Sequence, residues 1–289
     1  MKIGFAGLGV MGAPMAGHLV RAGHEVVGFN RSPAKTRAWA EACGGRFAAT
    51  VAEGAAGGEL FILCVGEDGD VRQVVMQALP HLAADAVVVD HTTTSAKVAR
   101  EMAALAAGQG AAFVDAPVSG GQAGAEAGQL SVMAGGDAAA LERAEPVLRA
   151  YAKAVQHMGP SGAGQLTKMV NQICIAGVVQ GLAEAVHFAR TARLDTDAVY
   201  EAVSRGAAQS WQMDNRWKTM AEGRFDFGFA VDWMRKDLGL VLEEARANGS
   251  HLALTALVDQ FYSEVQAMGG SRWDTSSLAA RLHDRERRG

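Results

Sequence analysis

Lys2-Ile3-Gly4-Phe5-Ala6-Gly7-Leu8-Gly9-Val10-Met11-Gly12 opens the chain, followed by Ala13–Ala22, Gly23 and Glu25-Val26-Val27-Gly28-Phe29. Lys2–Ala6 reads as a short buried strand, the stretch to about Ala22 as an apolar helix ended by Gly23, and Glu25–Phe29 as a second strand. By itself G-x-G-x-x-G is a weak signal. Between a strand and a helix, with a second strand after it, the pattern is specific. Gly7 permits the tight turn, Gly9 lets a pyrophosphate approach the backbone, and Gly12 lets helix and strand pack closely. Leu8, Val10 and Met11 complete this candidate phosphate-binding loop. The helix N-terminus behind it offers N–H groups and a positive dipole end to an anion.

Outward from this unit the alternation continues. Leu60–Val65, Ala86–Asp90, Ala112–Asp115, Leu130–Ala134 and Val155–Met158 read as strands separated by helical patterns. Such a chain forms an open doubly wound sheet, whose ligands lie beyond the carboxyl ends of the strands. His91-Thr92-Thr93-Thr94-Ser95 and Ala116-Pro117-Val118-Ser119-Gly120-Gly121 fall at those ends. Backbone N–H groups around Ser119, Gly120 and Gly121 can form an anion nest; the bland alternative is an ordinary turn.

The chain changes character at Pro160, its last proline. Gly159–Arg193 passes from a Gly/Pro/Ser loop into one long helix, and everything beyond reads as helix: Asp195–Ala207, Trp211–Glu222, Val231–Ala247, His251–Met268 and a short Ser276–His283. Asp195 or Thr196 and Ser250 read as N-caps, and Gly206, Gly249 and Gly269 as terminators. The expected class is α/β: an N-terminal Rossmann-type doubly wound sheet, residues 1–160, and a C-terminal all-helical domain, 161–289, joined by the long helix. Trp211, Met213, Trp217, Phe225, Phe227, Phe229 and Trp233 read mainly as core or dimer-interface packing.

Composition bounds the function. The net charge of −4 argues against a general nucleic-acid or anionic-membrane binder. The basic end at 281–289 reads as a solvated helix end. Cys43, Cys64 and Cys174 show no metal-ligand spacing. Cys64 and Cys174 sit in apolar runs and read as buried fillers, and the expected compartment is reducing and cytoplasmic. The N-terminal residues lack the apolar core of a signal peptide. Polar residues interrupt the long helix, so a transmembrane span is not expected; Gly177 and Gly181 would let soluble helices approach closely.

After the second strand, where an acidic residue would accept the ribose 2′-hydroxyl, stand Asn30-Arg31-Ser32. Arg31 can pair with a phosphate and stack on adenine. Ser32-Pro33 reads as N-cap and first residue of the next helix. The pattern favours NADP(H), with NAD as the alternative; a surface arginine and a simple cap is the other reading. Lys168 lies early in the long helix with Asn171 and Gln172 on the same face. It either snorkels to solvent or serves chemistry at the mouth of a buried helix.

These residues resemble the β-hydroxyacid dehydrogenase family, the group of 3-hydroxyisobutyrate dehydrogenase, tartronate semialdehyde reductase and glyoxylate/succinic semialdehyde reductases. The resemblance runs over nearly the whole chain and rests on four motifs in order: Gly7–Gly12, Asp115–Gly121, Gly162–Gln172 and Lys236-Asp237-Leu238. It implies a homodimer or homotetramer that transfers hydride between NADP(H) and a short β-hydroxy acid or its semialdehyde. Lys168 would be the catalytic acid/base. Ser119, Gly120 and Gly121 would hold the substrate carboxylate, with Asn171, Gln172, Phe229 and Asp237 also at the substrate. Gly7 to Gly12, Asn30, Arg31, Ser32, Val65, Thr93 and Lys236 would hold the cofactor. Many members carry asparagine where this chain has Gln172, an amide one methylene longer. No metal is expected. The rivals are an imine reductase or a decarboxylating phosphogluconate-type dehydrogenase on the same architecture, and a non-catalytic dinucleotide-sensing module.

Overall fold

The computed structural model describes residues 1–282; the expectations for His283 and the basic end beyond it lie outside the described residues. The chain falls into two compact units, the first Met1–Lys168 and the second beginning at Met169. The division lies inside the long helix, beyond the junction expected at 160/161.

In the first unit the order is β1 Lys2–Ala6, α1 Gly12–Arg21, β2 Glu25–Phe29, α2 Pro33–Cys43, β3 Arg46–Phe47, α3 Val51–Ala55, β4 Leu60–Leu63, α4 Asp68–Ala78, β5 Val87–Asp90, α5 Ala96–Ala107 and β6 Ala112–Asp115. It continues with β7 Val118–Ser119, α6 Gly121–Glu126, β8 Leu130–Gly136, α7 Ala138–Leu148 and β9 Ala152–Gly159. The strands lie in the order β3-β2-β1-β4-β5-β6-β8-β7, with β9 paired to β8. From β3 to β6 every pairing is parallel; β6–β8 and β7–β8 are antiparallel. From β1 the chain winds outward to β3, then returns and winds the other way from β4. The crevice between β1 and β4 is therefore the topological switch point.

The parallel strands are buried on both faces because their residues alternate between two cores. Ile3, Phe5, Leu60, Ile62, Val87, Val89 and Val114 pack with Met15 and Leu19 of α1 and Leu141 and Leu148 of α7. Ala6, Phe61, Leu63, Val88 and Phe113 pack with Val71 and Val75 of α4 and Val98 and Met102 of α5. A period of two delivers neighbours to opposite faces. The strand expected at 155–158 spans Ala152–Gly159, mostly exposed. The two-residue strands β3 and β7 carry no periodicity of their own; their neighbours create them.

Helix α8, Ala163–Thr191, begins in the first unit and runs into the second, followed by α9 Thr196–Val203, α10 Trp211–Glu222, α11 Val231–Asn248 and α12 Ala253–Ala267. Residues 278–282 are again helical. The second core joins Ala176, Val179 and Val186 of α8 to Met213 and Trp217 of α10, Met234 and Leu238 of α11, and Val258 and Tyr262 of α12. By length and composition α8 could cross a membrane; its apolar inner face belongs to this core. Gly177 lets Leu254 of α12 approach, whereas a side chain at Gly181 would meet nothing. Met213, Trp217 and Phe225 of the aromatic group are buried, and Trp211, Phe229 and Trp233 are exposed.

Three expectations need correction. Asp195 caps α9 by accepting from the N–H groups of Asp197 and Ala198, but that helix ends at Val203, short of Ala207. Ser250 is not the cap of α12. Its N–H reaches back to the Ala245 carbonyl, closing α11 beyond the left-handed Gly249, and α12 starts only at Ala253. Cys174 is exposed, because α8 turns it outward with Val170 and Val178; Cys43 and Cys64 are half-buried.

His91, just beyond β5, is buried beside the fully buried Tyr151. Its Nδ1 lies 2.6 Å from the Ala116 carbonyl, which can only accept, so Nε2 accepts the Tyr151 hydroxyl at 2.8 Å. Burial pulls the imidazole from 6.5 down to about 4. The unfolded chain therefore takes up this proton before the folded chain does. The stability His91 contributes is present above about pH 6.5 and is lost as pH falls toward about 4, on the order of 3 kcal/mol. His91→Gln should accordingly destabilise most near neutral pH, and the deficit should shrink by about 2 kcal/mol near pH 5 in urea unfolding. A deficit independent of pH would refute a buried neutral imidazole.

Candidate active site

The phosphate-binding loop can be tested glycine by glycine. Gly7 has φ +96°, and a Cβ there would lie 2.1 Å from the Cys64 carbonyl oxygen. At Gly12 a Cβ would lie 1.9 Å from the Gly7 carbonyl oxygen. The chain's own packing thus demands both glycines. Gly9 is different: it is exposed, and a Cβ would meet nothing within 4 Å. No protein contact requires it, and the open space leaves room for the pyrophosphate expected from the motif. The N-terminus of α1 is compatible, with no side-chain cap and no acidic residue in its first turn. Asn30 braces the loop by accepting from the Leu8 N–H at 3.2 Å. Val10 is exposed and Met11 half-buried.

Arg31 projects into solvent, its side chain 85% exposed, and pairs with Asp70 of α4 at 3.3 Å. An exposed pair of this kind is worth at most about 1 kcal/mol, so a phosphate can displace it. Ser32 is the N-cap of α2 with Pro33 behind it, as expected, yet its hydroxyl makes no capping bond. Val65 is half-buried at the end of β4, where its N–H donates to the Thr92 hydroxyl at 3.0 Å. These residues fit a dinucleotide.

The loops after β5 and β6 carry the next candidates. Thr93 is half-buried between the buried Thr92 and Thr94. Ser119 lies on β7, while Gly120 and Gly121 are exposed with φ of +130° and +61°. Lys168 is 8% exposed, and its ammonium donates to the Val118 carbonyl at 3.0 Å. It does not snorkel to solvent; it lies against the loop that leads into Ser119–Gly121. Asp115, the last residue of β6, sits behind this arrangement, completely buried. Its carboxylate accepts from Gly162 at 2.7 Å and Gln165 at 2.9 Å, at the start of α8. Burial pushes this carboxyl up to about 6, against backbone donors that pull it down.

In the second unit, Gln172 is buried at 2% exposure and its amide is fully engaged. Its oxygen accepts from Asn171 at 2.8 Å and its nitrogen donates to Asp237 at 2.6 Å. Lys236 pairs with the other Asp237 oxygen at 3.1 Å and lies 5.8 Å from the centre of the Trp233 ring. The longer amide at 172 therefore has a definite partner on α11. Phe229 is 38% exposed, and its N–H donates to buried Asp274 at 3.0 Å. Asp274 also takes Arg216 in a two-pronged ion pair. Sequence reading missed Asp115, Gln165 and Asp274. The first two lay inside quoted motifs, but nothing in their spacing showed what they bond. Among the described residues no group of three or more His, Cys, Asp or Glu is placed to hold a metal ion.

Comparison with known proteins bears on the family and the fold. Residues 2–159 match the family model for the NAD binding domain of 6-phosphogluconate dehydrogenase, and residues 162–282 that for the NAD-binding of NADP-dependent 3-hydroxyisobutyrate dehydrogenase. An uncharacterized oxidoreductase of Shewanella frigidimarina is 62% identical over 97% of this chain and 98% of its own length. A 2-(hydroxymethyl)glutarate dehydrogenase of Eubacterium barkeri is 35% identical, covering 96% and 93%. The solved Mycobacterium tuberculosis 3-hydroxyisobutyrate dehydrogenase, with L-serine, superposes with a TM-score of 0.89 at 33% identity, over 97% of this chain and 98% of that one.

The glycine analysis separates folding from ligand binding. Gly9→Ala should keep wild-type thermal stability and weaken dinucleotide binding ~10-fold or more, whereas Gly12→Ala should destabilise by about 2 kcal/mol or more. Thermal unfolding and fluorescence titration with NADPH measure both. Unchanged affinity in Gly9→Ala would remove the loop from the cofactor site.

Proposed function

From the premise that the chain belongs to the β-hydroxyacid dehydrogenase family of NAD(P)-dependent oxidoreductases, we propose that it transfers hydride reversibly between NADP(H) and a short β-hydroxy acid or its semialdehyde, with Lys168 as acid/base. The family acts on small hydroxy acids and semialdehydes. The observation that carries the finer reading is Lys168 itself: nearly buried, with its ammonium held on the Val118 carbonyl beside the Ser119–Gly121 loop.

The nicotinamide, when bound, accepts or supplies the hydride; the protein orients the reactants and moves the proton. In oxidation neutral Lys168 takes the hydroxyl proton, and in reduction its ammonium returns one to the forming alkoxide. Ser119, Gly120 and Gly121 receive the substrate carboxylate through hydroxyl and backbone N–H donors. Asn171 orients lysine and substrate, and Gln172, Asp237 and Phe229 shape the substrate's surroundings. Gly7–Gly12, Asn30, Val65, Thr93 and Lys236 hold the cofactor, while Arg31 and Ser32 take its 2′-phosphate. The M. tuberculosis relative is described with L-serine; serine carries a hydroxyl β to its carboxylate, the substrate class proposed here. We assign a soluble cytoplasmic homodimer or homotetramer. Val170, Val178 and Phe188 of α8 and Leu254 and Leu257 of α12 are exposed apolar residues available for self-association. An imine reductase or a sensing module would leave Lys168 and the Ser–Gly–Gly loop without a role.

Two variants test the reading. Arg31→Ala should weaken NADPH binding by about 1.5–3 kcal/mol while leaving NADH binding almost unchanged. Equal losses for both, or a wild type that prefers NADH, would overturn the phosphate assignment. Lys168→Ala should lower turnover ~10²–10⁴-fold with glyoxylate or the best C2–C4 semialdehyde, with NADPH affinity retained. Lys168→Arg should not restore it, since guanidinium cannot act as a base near neutral pH. A Lys168→Ala protein that binds NADPH and turns over at the wild-type rate would sink the mechanism.

A further inference from the structure

Gln165 lies in the first turn of α8, fully buried, one turn before Lys168. A buried primary amide must find partners for both its ends. Here the oxygen accepts from the Thr94 N–H at 3.0 Å and the nitrogen donates to the Thr92 carbonyl at 2.8 Å. Those are the two backbone groups flanking Thr93. In a parallel sheet, one residue of the neighbouring strand bonds to the carbonyl before and the N–H after the residue it faces. The Gln165 side chain supplies that pairing where β5 has already ended, and so fixes the backbone on either side of Thr93.

The same residue is tied down from its other side. Its own N–H donates to Asp115 at 2.9 Å, and Asp115 also accepts from Gly162 at 2.7 Å. Asp115 leads directly into the segment whose Val118 carbonyl receives Lys168. The Thr92 hydroxyl in turn accepts from Val65 at the end of β4, and the Thr92 N–H donates to Asp90 at the end of β5. Three strand ends and the start of the lysine-bearing helix thus meet in one buried hydrogen-bonded network, with Gln165 as the member that touches both the Thr93 loop and the helix.

We propose that Gln165 is a positioning residue: its side-chain amide locks the Thr93 loop to the first turn of α8, so that the cofactor-side threonine and Lys168 keep a fixed separation during proton transfer. This rests on the role proposed above for Lys168. Displacement of reacting groups by about an ångström costs up to ~10²-fold in rate, so losing the lock should appear in kcat rather than in binding.

The test uses the full chain with NADPH and the best semialdehyde. Gln165→Met keeps the length and removes both hydrogen bonds; Gln165→Glu keeps the acceptor facing Thr94 but places a carboxylate oxygen against the Thr92 carbonyl. Both variants should lose ~10- to 100-fold in kcat, with KM and NADPH affinity within about threefold of wild type. The Thr94 amide should exchange with solvent faster in Gln165→Met. In a Thr93→Ala background Gln165→Met should cost much less than in the wild type, as expected of residues acting as a unit. A folded Gln165→Met with wild-type kcat overturns the proposal, as do losses that multiply fully with Thr93→Ala. If neither variant folds, Gln165 is a folding determinant and the positioning role is overturned. Lys168→Ala, assayed in parallel, distinguishes the two levels. Wild-type turnover there removes the mechanism and this inference with it. Lost turnover there with an unaffected Gln165→Met removes this inference alone.

Discussion

A single buried carboxylate sets the geometry on which the Lys168 side of the first unit depends. Asp115 ends β6 with no solvent exposure and accepts the N–H groups of Gly162 and Gln165. A long helix begins with several N–H groups that no intrahelical carbonyl can reach. Placing an anion there satisfies two of them and complements the helix dipole. The cost is desolvation, which shows as a carboxyl pushed up to about 6. Close packing makes the site intolerant of change: a Cβ at Gly164 would lie 2.4 Å from the Met133 carbonyl oxygen and 2.5 Å from that of Asp115. The sheet therefore grips the start of α8, and Lys168 is carried into place one turn later.

The glycines of the first loop show two distinct demands made by one motif. Gly7 and Gly12 exist for the chain, because carbonyl oxygens occupy the space a Cβ would need. At Gly9 that space is open, so the packing of the chain does not require a glycine there. A sequence pattern treats the three alike. The distinction comes from asking what each missing side chain would have touched.

The second unit handles buried charge by pairing. Asp237 is engaged by Lys236 and by Gln172, and Asp274 by Arg216 and by two backbone N–H groups, those of Phe229 and Ser276. Buried carboxylates survive only with such partners. Gly228 completes the second arrangement, since a Cβ there would lie 1.9 Å from Asp274. Arg216 also stacks between Trp211 and Phe227, at 5.2 and 5.0 Å from their ring centres. The loop bearing Phe229 is thus held by electrostatics and stacking as much as by apolar contact.

The sequence by itself determined the architecture. Strand and helix periods, the glycine turn and the disappearance of proline after Pro160 are local signals, and they placed the long strands, the long helix and the helical second half. It also determined which polar residues would gather at the strand ends, because the winding rule assigns those ends to ligands. Only the tertiary structure decided what each polar group bonds. That Ser250 closes α11 instead of opening α12, that Cys174 faces outward, and that the Gln172 amide is taken up by Asp237 all depend on partners distant in the chain or on helix phase. Gln165 is the clearest case. In the sequence it is one residue of a glycine-rich helix start; in the fold its amide bonds on both sides of Thr93, more than 70 residues away. Hydrogen-bond partners are fixed by where backbone groups end up in space, and no local pattern encodes that.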